Sequence, residues 1–97
     1  MPTYIMLANY TQQGIQTVKD GPSRLDAAKQ RLQMSGATLK AMYLTMGRYD
    51  LVYIVEAPDA ETVAQLALAG ASGGTVRGET LRAFTEDEYR QIIAELP

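Results

Sequence analysis

The sequence predicts one α+β domain spanning residues 1–97, with a single antiparallel sheet and helices packed on one side of it. Three observations carry this. Four apolar, strand-like segments lie at 4–10, 37–45, 49–56 and 75–84. Helical periodicity separates the first from the second and the third from the fourth. Gly47 sits in a short polar break between the second and third, so these two pair as a hairpin. The resulting order is β-α-β-β-α-β-α. Right-handed crossovers on either side of a hairpin favour one arrangement, the ferredoxin-like sheet of order 4-1-3-2, with an extra C-terminal helix.

Each element has a local reason. Tyr4 to Tyr10 is the first strand, with Thr11 at its exit. Gln12 to Lys19 suits a short helix with Ile15 and Val18 turned inward, and Asp20-Gly21-Pro22 breaks it. Ser23 is the expected N-cap of a longer helix, with Asp26 three residues on. Leu25, Ala28 and Leu32 give that helix its stripe, and Gly36 ends it. The second and third strands, Ala37–Thr45 and Tyr49–Glu56, flank a tight turn at Gly47. Asp59 is the expected N-cap of the next helix, which carries Val63, Leu66, Ala67 and Gly70 on one face and stops at Gly73-Gly74. Thr75–Phe84 is the fourth strand. Thr85 and Glu88 read as a capping box, and Tyr89, Ile92, Ile93 and Leu96 form the apolar stripe of a final helix.

Composition narrows the chemistry. Cysteine and histidine are both absent, which removes disulfides, thiol nucleophiles, Cys/His metal sites and the commonest general base. No metal set and no cofactor is expected. Net charge is -2 and the nine basic residues are scattered, so no nucleic-acid groove is expected. The absence of an apolar run of about 18 residues argues against a membrane span. The N-terminal residues lack a signal-peptide pattern, so a cytoplasmic location is expected.

The strands do not alternate as a half-solvated sheet should. Leu51, Tyr53 and Val55 oppose Val52 and Ile54; Ile5 and Leu7 oppose Tyr4, Met6 and Ala8; and Leu39, Ala41 and Tyr43 oppose Met42, Leu44 and Met46. Both faces are apolar, and helices cover only one. A second copy of the chain is the expected cover, giving a homodimer or larger homo-oligomer.

The stretches Gln13-Gly14-Ile15, Pro22-x-Arg24-Leu25, Tyr43-Leu44-Thr45-Met46-Gly47-x-Tyr49-Asp50, Glu56-Ala57-Pro58, Gly74-x-Val76-Arg77 and Thr80-Leu81-Arg82-Ala83-Phe84-Thr85 together resemble the GYD-domain family of small bacterial proteins. The resemblance covers nearly the whole chain. It implies a dimeric α+β barrel in which two sheets face each other. It implies no activity and no catalytic residue. Two other groups share that barrel: effector-binding domains of feast/famine-type regulators, whose DNA-binding helix-turn-helix is missing here, and cofactor-independent monooxygenases and isomerases, whose His or Trp site residues have no counterpart.

Topology gathers Asn9, Tyr10, Arg48, Tyr49, Asp50 and Arg77 at one end of the sheet, with Gln12 and Gln13 nearby. Such a group suits a small aromatic or anionic ligand through charge-assisted hydrogen bonds. The same residues suit a structural reading, in which Asp50 holds backbone amides or an arginine and Tyr49 packs at an interface. Tyr43 and Tyr53 are candidates for lining a cavity between sheet and helices, or for ordinary packing. Glu56 reads as a solvated or capping acid. The glycines at 70, 73 and 74 lie at a helix C-terminus, which disfavours anions. The expected role is a small-molecule-binding or accessory domain. The alternative is a cofactor-independent oxygenase or isomerase acting on an aromatic or quinone-like compound, which a buried acid beside tyrosines would favour.

Overall fold

In the computed structural model, which describes residues 1–97, strands β1 (Thr3–Tyr10), β2 (Thr38–Leu44), β3 (Leu51–Glu56) and β4 (Val76–Ala83) form one antiparallel sheet in the order β2-β3-β1-β4. The helices are α1 (Gln12–Gln16), α2 (Gly21–Met34), α3 (Ala60–Ser72) and α4 (Glu86–Ala94), with a 3-10 turn at Val18–Asp20. No helix is long and apolar enough to cross a membrane.

The segment expected as one helix from Gln12 to Lys19 divides in two. The Thr17 hydroxyl bonds back to the Gln13 carbonyl at 2.8 Å, and Arg24 takes the Thr17 carbonyl at 3.0 Å, so the ladder ends there. Ile15 and Val18 consequently stay exposed rather than turning inward. The second helix starts at Gly21, ahead of the expected Ser23 cap, because Pro22 is suited to the first turn. The two later caps form as read. Asp59 Oδ1 accepts the Thr62 N–H at 2.8 Å, and the Thr85/Glu88 capping box forms in both directions.

The sheet's two faces differ in cover. Tyr4, Ala8, Leu51 and Val55 point toward the helices and are buried; Leu32, Val63 and Leu66 from α2 and α3 join Tyr4 and Val55 in one cluster. On the other face lie Ile5, Leu7, Val52, Ile54 and Leu81, paired across strands in register and outside the core. Strand β2 departs from the simple alternation read from the sequence. A bulge between Leu39 and Ala41 puts Leu39 on the core side while Ala41 and Tyr43 stay on the open face. Odd-numbered residues therefore change face at the bulge, and Leu39, Met42 and Leu44 all lie on the helix side.

α4 buries none of its residues, and Tyr89, Ile92, Ile93 and Leu96 are all exposed. The molecule measures 51 × 31 × 18 Å, with a radius of gyration of 14.6 Å. A compact chain of this length would be near 12.5 Å. The protein is elongated.

Candidate functional site

At the end of the sheet singled out by the sequence, three residues interlock. Asp50 Oδ2 accepts the Tyr10 N–H at 3.0 Å. The Asp50 N–H donates to Asn9 Oδ1 at 3.1 Å and to the Ala8 carbonyl at 3.0 Å. The connection is a loop over residues 45–50 rather than a tight turn, since Leu44 and Leu51 are the last paired residues. The loop closes on itself where the Thr45 N–H donates to the Asp50 carbonyl at 2.8 Å. Gly47 takes φ +130° there, a conformation that side chains disfavour. Asp50 thus spends its carboxylate on the backbone of β1 and on neither arginine.

Tyr49, Arg48 and Arg77 are arranged differently. The Tyr49 hydroxyl donates to Glu79, whose hydrogen bond is the main cause, with burial second, of a phenol pKa raised above 10.0. The Arg48 guanidinium lies 5.9 Å from the centre of the Tyr49 ring. Arg77 pairs in register with Asn9 but is exposed and makes no ion pair. The predicted six residues therefore fall into a backbone clamp (Asn9, Tyr10, Asp50), a surface stack (Arg48, Tyr49) and a lone cation (Arg77). Glu56 forms a loose ion pair with Lys40 at 3.9 Å.

A second junction was not visible in the residue pattern. The Thr11 N–H donates to the Thr75 carbonyl at 3.0 Å, and its hydroxyl donates to the Gly74 carbonyl at 2.6 Å while capping Gly14 N–H at 3.0 Å. A Cβ on Gly14 would come 2.0 Å from the Thr75 carbonyl oxygen, so only glycine fits. Arg24 completes the junction through Thr17 and the Gly14 carbonyl, the latter at 3.4 Å. The Pro22-x-Arg24 spacing after a helix break was the available signal.

Between α2, α3 and the sheet opens an apolar groove of about 650 Å³. Met6, Met42, Leu51 and Val76 contribute from the sheet, Leu25 and Ala28 from α2, and Ala67 and Gly70 from α3. Small residues on both helices leave this space unfilled. Tyr10, Tyr53 and Arg24 also line it. Tyr43 does not, being on the opposite face and exposed. Burial pushes the Tyr53 phenol up, reinforced by Tyr10 and opposed by Arg24. No carboxylate, lysine or arginine is buried anywhere in the molecule, so the acid sought beside the tyrosines is not there.

These features define a class: a small α+β domain that exposes apolar surfaces and keeps its charged groups on the outside. The GYD domain matches residues 4–93, and the chain belongs to that family. A Thermus thermophilus protein named glutamine synthetase and cystathionine beta-lyase binding protein is 42% identical over 85 residues, covering 87% of this chain and 90% of that protein. A crystallised Thermus thermophilus protein superposes with a TM-score of 0.54 at 25% identity, over 88% of this chain and 95% of its own.

Proposed function

We propose that this protein is a cytoplasmic accessory domain that acts by binding, and that it pairs with a second copy through the open face of its sheet to form a dimeric α+β barrel of ferredoxin-like subunits. The observation that carries the reading is that face itself. Ile5, Leu7, Val52, Ile54, Leu81 and Tyr43 form an apolar surface outside the core, and Tyr43 and Leu81 are 58% and 43% exposed. A standard interface of roughly 1,600 Å², about 60% apolar, would contribute on the order of 24 kcal/mol before the 4–15 kcal/mol of association cost. The relative named for binding two enzymes supports protein recognition as the role. α4, with its unburied stripe, is the second surface available to such partners.

Light scattering on the full chain is expected to give a mass near twice the 10.6 kDa of one subunit. Ile54→Lys, at the centre of the open face, is expected to return it to the monomer with its circular dichroism intact. A wild-type mass of one subunit at micromolar concentration overturns the pairing.

A further inference from the structure

The groove between the helices and the sheet is independent of the open face and of any pairing through it. Its walls are apolar and flexible at two points, Met6 and Met42. Its volume of about 650 Å³ falls within the range of small-molecule sites. Two arginines bring their side chains to its lining, Arg24 and Arg31, whereas Arg77 and Glu79 share the open face with Leu81 and border the groove through the β4 backbone. No carboxylate side chain faces the groove from either helix, so the balance at the groove is cationic. Arg24 has five N–H donors and spends three hydrogen bonds on Thr17 and Gly14, leaving donor capacity beside the groove. Tyr53 and Tyr10 both line the groove, and neither uses its hydroxyl in a hydrogen bond within the chain.

We propose that this groove binds an apolar monocarboxylate, a fatty or aromatic acid, with its carboxylate held by Arg24, Tyr10 and Tyr53 and its hydrocarbon body against Met6, Met42 and Leu51. A carboxylate takes charge-assisted bonds from a guanidinium and from phenols, and it matches the surplus of arginine at the rim. The apolar body replaces water over the part of the sheet that the small helix residues leave bare.

The test is calorimetric titration of the full chain with decanoate and with 1-decanol, both kept below their aggregation limits. Decanoate is expected to bind at one site per chain, at least about tenfold tighter than the alcohol, since the ion engages donors that the hydroxyl uses poorly. Tyr53→Phe is expected to weaken decanoate by roughly 3- to 10-fold. Ala67→Phe, which fills the groove from α3, is expected to abolish binding, and Ile54→Lys on the opposite face to leave it unchanged whatever it does to the subunit mass. If Ala67→Phe does not fold, the Tyr53→Phe result and the acid-to-alcohol ratio decide. No binding of decanoate at millimolar concentration, equal affinity for acid and alcohol, or full binding by a folded Ala67→Phe variant each overturns the proposal. Loss of binding in Ile54→Lys would place the acid on the open face and overturn it too.

Discussion

Replacing Asp50 by alanine removes one acceptor and nothing else. The main-chain bonds of residue 50, to Ala8, Thr45 and the Asn9 side chain, survive the change. What is lost is the Oδ2 acceptor of the Tyr10 N–H, at 3.0 Å. A hydrogen bond to a charged group contributes about 1.5–3 kcal/mol, and an amide left without a partner incurs a desolvation cost. Tyr10 is only half-buried, so water recovers part of the loss and the net effect is roughly 1–2 kcal/mol. Asn9→Ala removes an acceptor that the Asp50 N–H shares with the Ala8 carbonyl, so it should cost less than about 1 kcal/mol. Urea unfolding followed by circular dichroism is the assay, at one fixed protein concentration because association would add to stability. With a slope near 1 kcal/mol per molar, the Asp50→Ala midpoint should fall by roughly 1–2 M with the slope unchanged. A shift below about 0.3 M, or a larger effect from Asn9→Ala, would show that the clamp does not hold the loop to β1.

Three further outcomes follow from the geometry. Gly14→Ala should lower stability by roughly 1–3 kcal/mol, because its Cβ meets a backbone carbonyl that cannot step aside, and a thermal melt will read it. Thr85→Ala should cost α4 about 1 kcal/mol of helix stability, seen as faster amide exchange at residues 86–89, while the global midpoint moves little because α4 buries nothing. The Tyr49 phenol is raised chiefly by its hydrogen bond to Glu79, so the interaction stabilises the fold below the ordinary tyrosine pKa and is lost as pH rises through the elevated one. Carbon NMR of labelled tyrosines should show Tyr49 titrating late, and Glu79→Gln should bring it back toward 10.0; an unchanged midpoint would show that Glu79 does not hold this phenol.

The strand and helix order was legible because it rests on periodicity and breakers, which act locally. Asp59 and the Thr85/Glu88 box were equally plain, since a cap is written within four residues. The β2 bulge was not. No glycine or proline marks it, and it exists because Leu39 is drawn to the core beside Val55 while Ala41 keeps register with Ile54. The site was half legible. Topology brought Asn9, Tyr10 and Asp50 together, but a fixed strand boundary at Tyr49 hid the loop that separates Tyr49 and Arg48 from them. Arg24 reads in the sequence only as part of a family-like stretch and not as a junction residue, because its partners on Thr17 and Gly14 are carbonyls and a hydroxyl in a segment that reads as continuous helix. The groove arises from what is missing, the bulk at Ala28, Ala67 and Gly70, and small residues on a helix otherwise read as close packing.

The bulge has one more effect, on how copies of this chain can meet. β2 and β4 are the outer strands, and either could in principle recruit a further strand. β2 is kinked at the bulge and carries the Lys40 ammonium there, while β4 alternates Arg77, Glu79 and Arg82 along its length. Both borders are thus guarded against growth in the plane of the sheet, the direction that leads to fibres. The proposed pairing runs in the other direction, perpendicular to the sheet. Under the proposed pairing, a sheet that meets a second copy across its broad face and is guarded along its rims is closed by that one partner, so crowding this protein should yield finite particles and no ribbons.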